Sequence, residues 1–218
     1  MMLNASISEA VLDELRQSLA SKMSPKRYVH TCAVEEMVGR LCELYCPEAG
    51  TELRAAALLH DLTKEESLQN QLQMCREFGI MVRPEDMLAP KTFHAKTAAA
   101  LIPRDYSAFA TETVISAVRW HTTGRADMSL TEQLLYLADY IDESRKFPDC
   151  VRLRDYFWGA HPEHMDETAR LSHLRNTMIL SYDMTMRNLL AESVPISPDT
   201  VLSRNHLIAM REGLGEIT

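Results

Sequence analysis

Apolar residues recur along this chain at helical spacing, in segments punctuated by proline and glycine. Near residues 7–22, Val11, Leu12, Leu15 and Leu19 share one side of an amphipathic helix. Ser24-Pro25 marks a second start, a hydroxyl cap followed by proline at the first helical position, and that helix is predicted to run to about Cys46, before Pro47. A third begins near Thr51 and carries His60 and Asp61 near its end. Residues 64–78 read as helical up to Gly79, and residues 80–92, with Pro84 and Pro90, read as a loop. His94 opens the next helix above Ala98 and Leu101, with Pro103 marking its end. Residues 107–121 form another, in which Val114 and Val118 put His121 on the apolar side. Gly124 breaks the pattern, and Ser129-Leu130-Thr131-Glu132 is a capping box opening the helix of Asp139. Arg145-Lys146-Phe147-Pro148 reads as a turn, and helices at about 163–191 and 198–213 complete the chain. No repeat, low-complexity tract or linker interrupts this order. The expectation is an all-α protein with one domain over 1–218: a helix within 1–22, a core of about 25–145, and C-terminal helices from about 150.

Composition narrows the function classes. Gly is scarce (7 of 218 residues), which suits helices. The net charge is −8 with no Lys/Arg stripe, so a duplex nucleic acid is not an expected partner. No apolar run approaches a membrane span, and Met1-Met2-Leu3-Asn4-Ala5-Ser6 lacks a basic region followed by an apolar one. A cytoplasmic protein without a membrane partner is expected. The five cysteines (Cys32, Cys42, Cys46, Cys75, Cys150) contain no Cys-x-x-Cys pair and read as small core residues in a reducing compartment.

The chemistry lies in six residues. His60-Asp61 ends the apolar run Ala55-Ala56-Ala57-Leu58-Leu59, where an unpartnered imidazole and carboxylate are costly to bury. His30 shares its stripe with Val34, Met37, Val38 and Leu41, while His94, His121 and Asp139 also fall on apolar faces. Taken singly, each has a plainer explanation as a hydrogen-bonded core residue. Together, His30, His60, Asp61, His94, His121 and Asp139 form a ligand set for two metals. One ion would take His30, His60, Asp61 and Asp139; the other would share Asp61 and take His94 and His121. Imidazole and carboxylate donors suit Fe, Mn, Co or Zn rather than Mg or Ca. Two such ions can activate water and clamp a phosphoryl group. Basic and hydroxyl groups nearby suit phosphate: Arg27 one turn before His30, Lys64 after Asp61, Thr122, Thr123 and Arg125 after His121, and Arg145 and Lys146 after the Asp139 helix. Asp61, Lys64 and Arg125 are the expected catalytic residues. His161, His164, His173 and His206 lack carboxylate company and read as structural or exposed.

At these residues the chain resembles the HD-domain metal-dependent phosphohydrolases, and among them the YqeK family. The stretches that carry the resemblance are Arg27-Tyr28-Val29-His30-Thr31, Ala56-Ala57-Leu58-Leu59-His60-Asp61-Leu62-Thr63-Lys64-Glu65, Arg119-Trp120-His121-Thr122-Thr123-Gly124-Arg125 and Leu137-Ala138-Asp139-Tyr140-Ile141-Asp142, with Pro195-Ile196-Ser197-Pro198-Asp199-Thr200 as a later match. The resemblance implies a helical HD-domain bundle with a binuclear centre in its core, iron being the first expected metal. It also implies symmetrical hydrolysis of bis(5′-nucleosyl) tetraphosphates, diadenosine tetraphosphate giving two ADP. Two departures stand out: His94-Ala95-Lys96-Thr97-Ala98 where similar proteins often have His-Gly, and Asp142-Glu143-Ser144-Arg145 where they tend towards Glu-Pro. Spacing and composition by themselves support metal-assisted hydrolysis of a phosphate ester or anhydride. A general nucleotide phosphohydrolase or nucleotidase, a non-catalytic alarmone-binding module and a di-iron oxygenase stay open as alternatives, as does a homodimer.

Overall fold

The computed structural model describes residues 7–214, the side chain of Glu85 excepted. Among the described residues the regular elements are all helical. In chain order they are α1 (Glu9–Ala20), α2 (Pro25–Tyr45), α3 (Gly50–Leu59), α4 (Leu68–Glu77), α5 (Phe93–Asp105), α6 (Glu112–Trp120), α7 (Leu130–Ile141), α8 (Pro148–Gly159), α9 (Glu167–Ala191) and α10 (Pro198–Arg211), joined by short 3-10 turns. Residues 1–6 of the segment read as an N-terminal helix, and the whole of the Met1–Ser6 stretch, lie outside the described residues. No helix among the described residues is long and apolar enough to cross a membrane.

The helix α3 is the centre of the fold. Leu53 and all five residues from Ala55 to Leu59 are fully buried. Its alanines let neighbouring helices come close, and α3 packs against α2, α6, α7 and α1. α5 lies against α6, α2 against α7, and the long α9 covers α7, α8 and α10. Caps foreseen in the sequence hold: Ser24 Oγ accepts the Arg27 N–H, and Ser129 and Glu132 bond reciprocally at the start of α7. Gly124 has φ +64°, and a Cβ there would lie 2.0 Å from the buried Tyr182 hydroxyl, so both backbone and space require glycine.

Beyond shifts of a few residues at helix starts, with α6 beginning at Glu112 rather than 107 and α9 at Glu167 rather than about 163, the structure departs from the expected elements at three places. Pro103 lies inside α5, which continues to Asp105; so near the C-terminal end, only the last turn must tolerate its missing N–H. The turn at Arg145–Pro148 opens a helix the sequence reading passed over, α8, with Pro148 at its first position and Leu153 and Phe157 buried. His60 and Asp61 lie just past α3: His60 is its C-cap, and residues 60–65 form a turn before α4 begins at Leu68.

Candidate metal centre

Five elements deliver the six expected ligands to one buried spot. His30 comes from α2, His60 and Asp61 from the end of α3, His94 from the first turn of α5, His121 from the C-cap of α6, and Asp139 from α7. The geometry divides about Asp61. Its Oδ2 lies 3.8 Å from His30 Nε2 and 3.3 Å from His60 Nε2, while its Oδ1 lies 3.3 Å from His94 Nε2 and 3.7 Å from His121 Nε2. Asp139 Oδ1 closes the first set, 3.0 Å from His30 Nε2 and 3.8 Å from His60 Nε2. Donors held ~2.0–2.2 Å from a common ion stand roughly 3–3.6 Å apart, so each set has the dimensions of a metal site. Among the described residues, donor atoms of His30, His60 and Asp139, and of His60, Asp61 and His121, lie within 4.8 Å of one another.

The ring tautomers sharpen the case. His60, His94 and His121 each donate Nδ1–H to the carbonyl three residues back, on Ala57 at 2.6 Å, Lys91 at 2.7 Å and Val118 at 2.7 Å. A carbonyl can only accept, so in each neutral ring Nε2 carries a lone pair aimed into the cluster. His94 Nε2 and His121 Nε2 face each other at 3.0 Å. His30 Nε2, His60 Nε2 and Asp61 Oδ1 are buried with no hydrogen-bond partner. Three buried atoms converging with no donor among them are what a cation resolves, and the residues present fit two divalent ions.

Burial lowers the His94 pKa to about 4 and lowers that of His121, which keeps both rings neutral and ligand-competent. Burial would raise the carboxyls of Asp61 and Asp139, but the imidazoles around Asp61, and Arg145 and His30 beside Asp139, hold both well below the usual range. At His30 burial is likewise outweighed, here by Asp139 and Asp142, and its pKa rises to about 9.

The sequence reading missed two residues of this centre, Asp142 and Ser144. Asp142, the C-cap of α7, is fully buried, with Oδ2 3.4 Å from His30 Nδ1. Its Oδ1 accepts from the Ser144 N–H and hydroxyl, and Ser144 Oγ lies 3.2 Å from His30 Nδ1, so Asp142 stands behind a candidate ligand and fixes its ring through Ser144. Its signal was available in the spacing Asp139-x-x-Asp142, one turn along the same helix.

The basic and hydroxyl residues divide. Arg27 bonds Asp61 Oδ2, Arg145 bonds Asp139 Oδ1, and Lys64 Nζ stands 3.1 Å from His94 Nε2 and 3.9 Å from Asp61 Oδ1. Thr122 Oγ1 lies 3.1 Å from both His94 Nε2 and His121 Nε2. These four border the cluster. Lys146 is exposed and donates to the Glu143 carbonyl. Thr123 and Arg125 are turned to other partners. Thr123 is buried and donates to the Gly124 carbonyl. Arg125 sends Nε and Nη2 to Glu132, each at 3.2 Å, because the buried Glu132 of the capping box needs a counter-charge. His161, His164, His173 and His206 stay outside the cluster, and His173 Nε2–H is held by the Phe157 carbonyl. All five cysteines are free, and four are buried.

With Arg125 on Glu132, its substitution acts on stability. Arg125→Ala is expected to cost about 1–2 kcal/mol in denaturant unfolding, since Glu132 keeps its bonds from Ser129 and Ser116 but loses its cation. Metal content should be unchanged; loss of metal with native stability would return Arg125 to the centre.

Comparison with known proteins agrees with this geometry. The HD-domain family model matches residues 27–144, the span that contains all six candidate ligands. The symmetrical bis(5′-nucleosyl)-tetraphosphatase of Halalkalibacterium halodurans is 30% identical over 194 residues, 88% of this chain and 94% of that protein. Its counterpart in Bacillus subtilis is 28% identical over 201 residues, 90% of this chain and 97% of the relative. A crystal structure from Clostridium acetobutylicum, described as a predicted HD superfamily hydrolase involved in NAD metabolism, aligns with a TM-score of 0.77 at 27% identity, over 91% of this chain and 97% of that one. A family match over more than half of the chain, with relatives aligned along most of their length, makes this protein a member of the YqeK family of HD-domain phosphohydrolases.

Proposed function

We propose that this protein hydrolyses dinucleoside tetraphosphates at the central anhydride, releasing two nucleoside diphosphates, with diadenosine tetraphosphate as the reference substrate. The observation that carries the reading is the two-sided Asp61, with a histidine pair against each oxygen and Arg27, Lys64 and Arg145 beside the carboxylates. In this reading His30, His60, Asp61 and Asp139 hold one divalent ion, and Asp61, His94 and His121 hold the second. Bound there, two ions supply water activation at neutral pH and neutralise charge on the attacked phosphate. The imidazole-rich set favours Fe, Mn, Co or Zn, with iron first. The relatives named as symmetrical tetraphosphatases support the choice of substrate.

The protein's own groups do the positioning. Arg27 and Arg145 present guanidiniums at the carboxylate edge, where each can take two non-bridging phosphate oxygens. Burial pulls the Lys64 pKa down, so its ammonium gains from an anionic phosphate placed beside it. The Thr122 hydroxyl, between His94 and His121, can orient an oxygen at the second ion position. Charge offset by fixed cations at a buried centre is worth most where negative charge develops on the leaving diphosphate.

Separation of the products from diadenosine tetraphosphate tests the reading. Two ADP are expected. ATP plus AMP, preferential release of inorganic phosphate from mononucleotides, or binding without turnover would each replace it with one of the alternatives above.

A further inference from the structure

The centre opens on one side into a cleft of about 850 Å³, a size suited to a nucleotide. One wall is the first turn of α2, with Lys26, Arg27 and Val29; the other is the α7–α8 connection, with Arg145, Lys146 and Phe147. Burial falls outward along both walls. Arg27 and Arg145 are partly buried and touch the carboxylates, while Lys26 and Lys146 are exposed. Four cations therefore face one cleft in a chain of net charge −8. Two apolar side chains complete the rim, Val29 at 61% and Phe147 at 68% exposure. Phe147 is the N-cap of α8, at φ −64° and ψ 138°, the extended conformation required before Pro148. Its backbone is set by the helix start while its ring stays in solvent.

This order, from carboxylates and imidazoles through guanidiniums and ammoniums to an exposed aromatic ring, matches the order phosphate, phosphate, nucleoside. We propose that Phe147 is the platform on which one nucleobase of the substrate stacks, with Val29 against the nucleoside from the opposite wall and Lys26 and Lys146 beside the phosphate next to it. An aromatic platform accepts any base by its π-face, so it contributes affinity rather than base choice. The inference rests on a nucleotide being the substrate. It adds a nucleoside subsite that the ligand set does not require.

Calorimetric titration of the metal-loaded protein with ADP and with inorganic pyrophosphate separates base from phosphate. Phe147→Ala is expected to weaken ADP at least about tenfold and pyrophosphate less than about twofold. For diadenosine tetraphosphate the loss should fall on KM rather than kcat. Phe147→Trp should restore ADP affinity and add a fluorescence change on ADP that pyrophosphate does not produce. Native ADP affinity in Phe147→Ala, or equal loss of ADP and pyrophosphate, overturns the platform. If the native protein leaves diadenosine tetraphosphate intact yet binds ADP through Phe147, the platform stands and the proposed reaction falls. Turnover with Phe147-independent ADP binding gives the reverse.

Discussion

Replacing Asp61 with alanine is expected to lower kcat/KM at least about a thousandfold, ~4 kcal/mol of transition-state stabilisation, and to leave fewer than one metal ion per chain. Among the described residues, Asp61 is the one carboxylate whose two oxygens face different histidine pairs. Its loss therefore removes a donor from both ion positions, whereas loss of His94 or Asp139 removes a donor from one. It also strips Arg27 of its buried partner. Steady-state kinetics and elemental analysis of protein purified without chelators measure both effects, and circular dichroism verifies that the variant is folded. Near-native turnover and metal content in Asp61→Ala would remove the bridge from the account.

The second large effect is expected one layer out. Asp142→Ala should weaken metal binding by about 10–100-fold, the range for a carboxylate behind a ligating histidine. Asp142→Asn should lose less, because its amide oxygen can still accept from Ser144, whose Oγ lies 3.2 Å from His30 Nδ1. Excess metal should restore most of kcat in both variants, since Asp142 acts through His30 and its own Oδ2 lies 3.4 Å from that ring nitrogen. Titration of metal-stripped protein reads the affinity directly. A kcat loss that saturating metal does not repair would instead put Asp142 against the substrate.

Much of the centre was legible because inward-facing polar residues break an apolar pattern. His30, His121 and Asp139 could be located by the helical stripes they interrupt, and the structure gathers them with His60, Asp61 and His94. The capping box at Ser129 and the break at Gly124 were visible for the same reason: both are local. What escaped depends on contacts across the fold. Arg125 is four residues from His121, but its direction is set by Glu132, a carboxylate buried by the packing of α7. Asp142 was passed over because its partner, His30, lies on α2, far away in sequence. The helix α8 was hidden by its own start, since Pro148 after a charged turn reads equally as a stop or as a first helical residue. Phe147 is invisible to periodicity altogether, because an exposed ring on a loop interrupts no apolar stripe.

The most direct measurement is anomalous X-ray diffraction from crystals of protein purified without chelators, collected on both sides of the iron absorption edge and of the manganese edge. The account predicts two peaks roughly 3.5–4 Å apart, one near Asp61 Oδ2 with His30, His60 and Asp139, the other near Asp61 Oδ1 with His94 and His121. A single peak, or two that do not share Asp61, would contradict it.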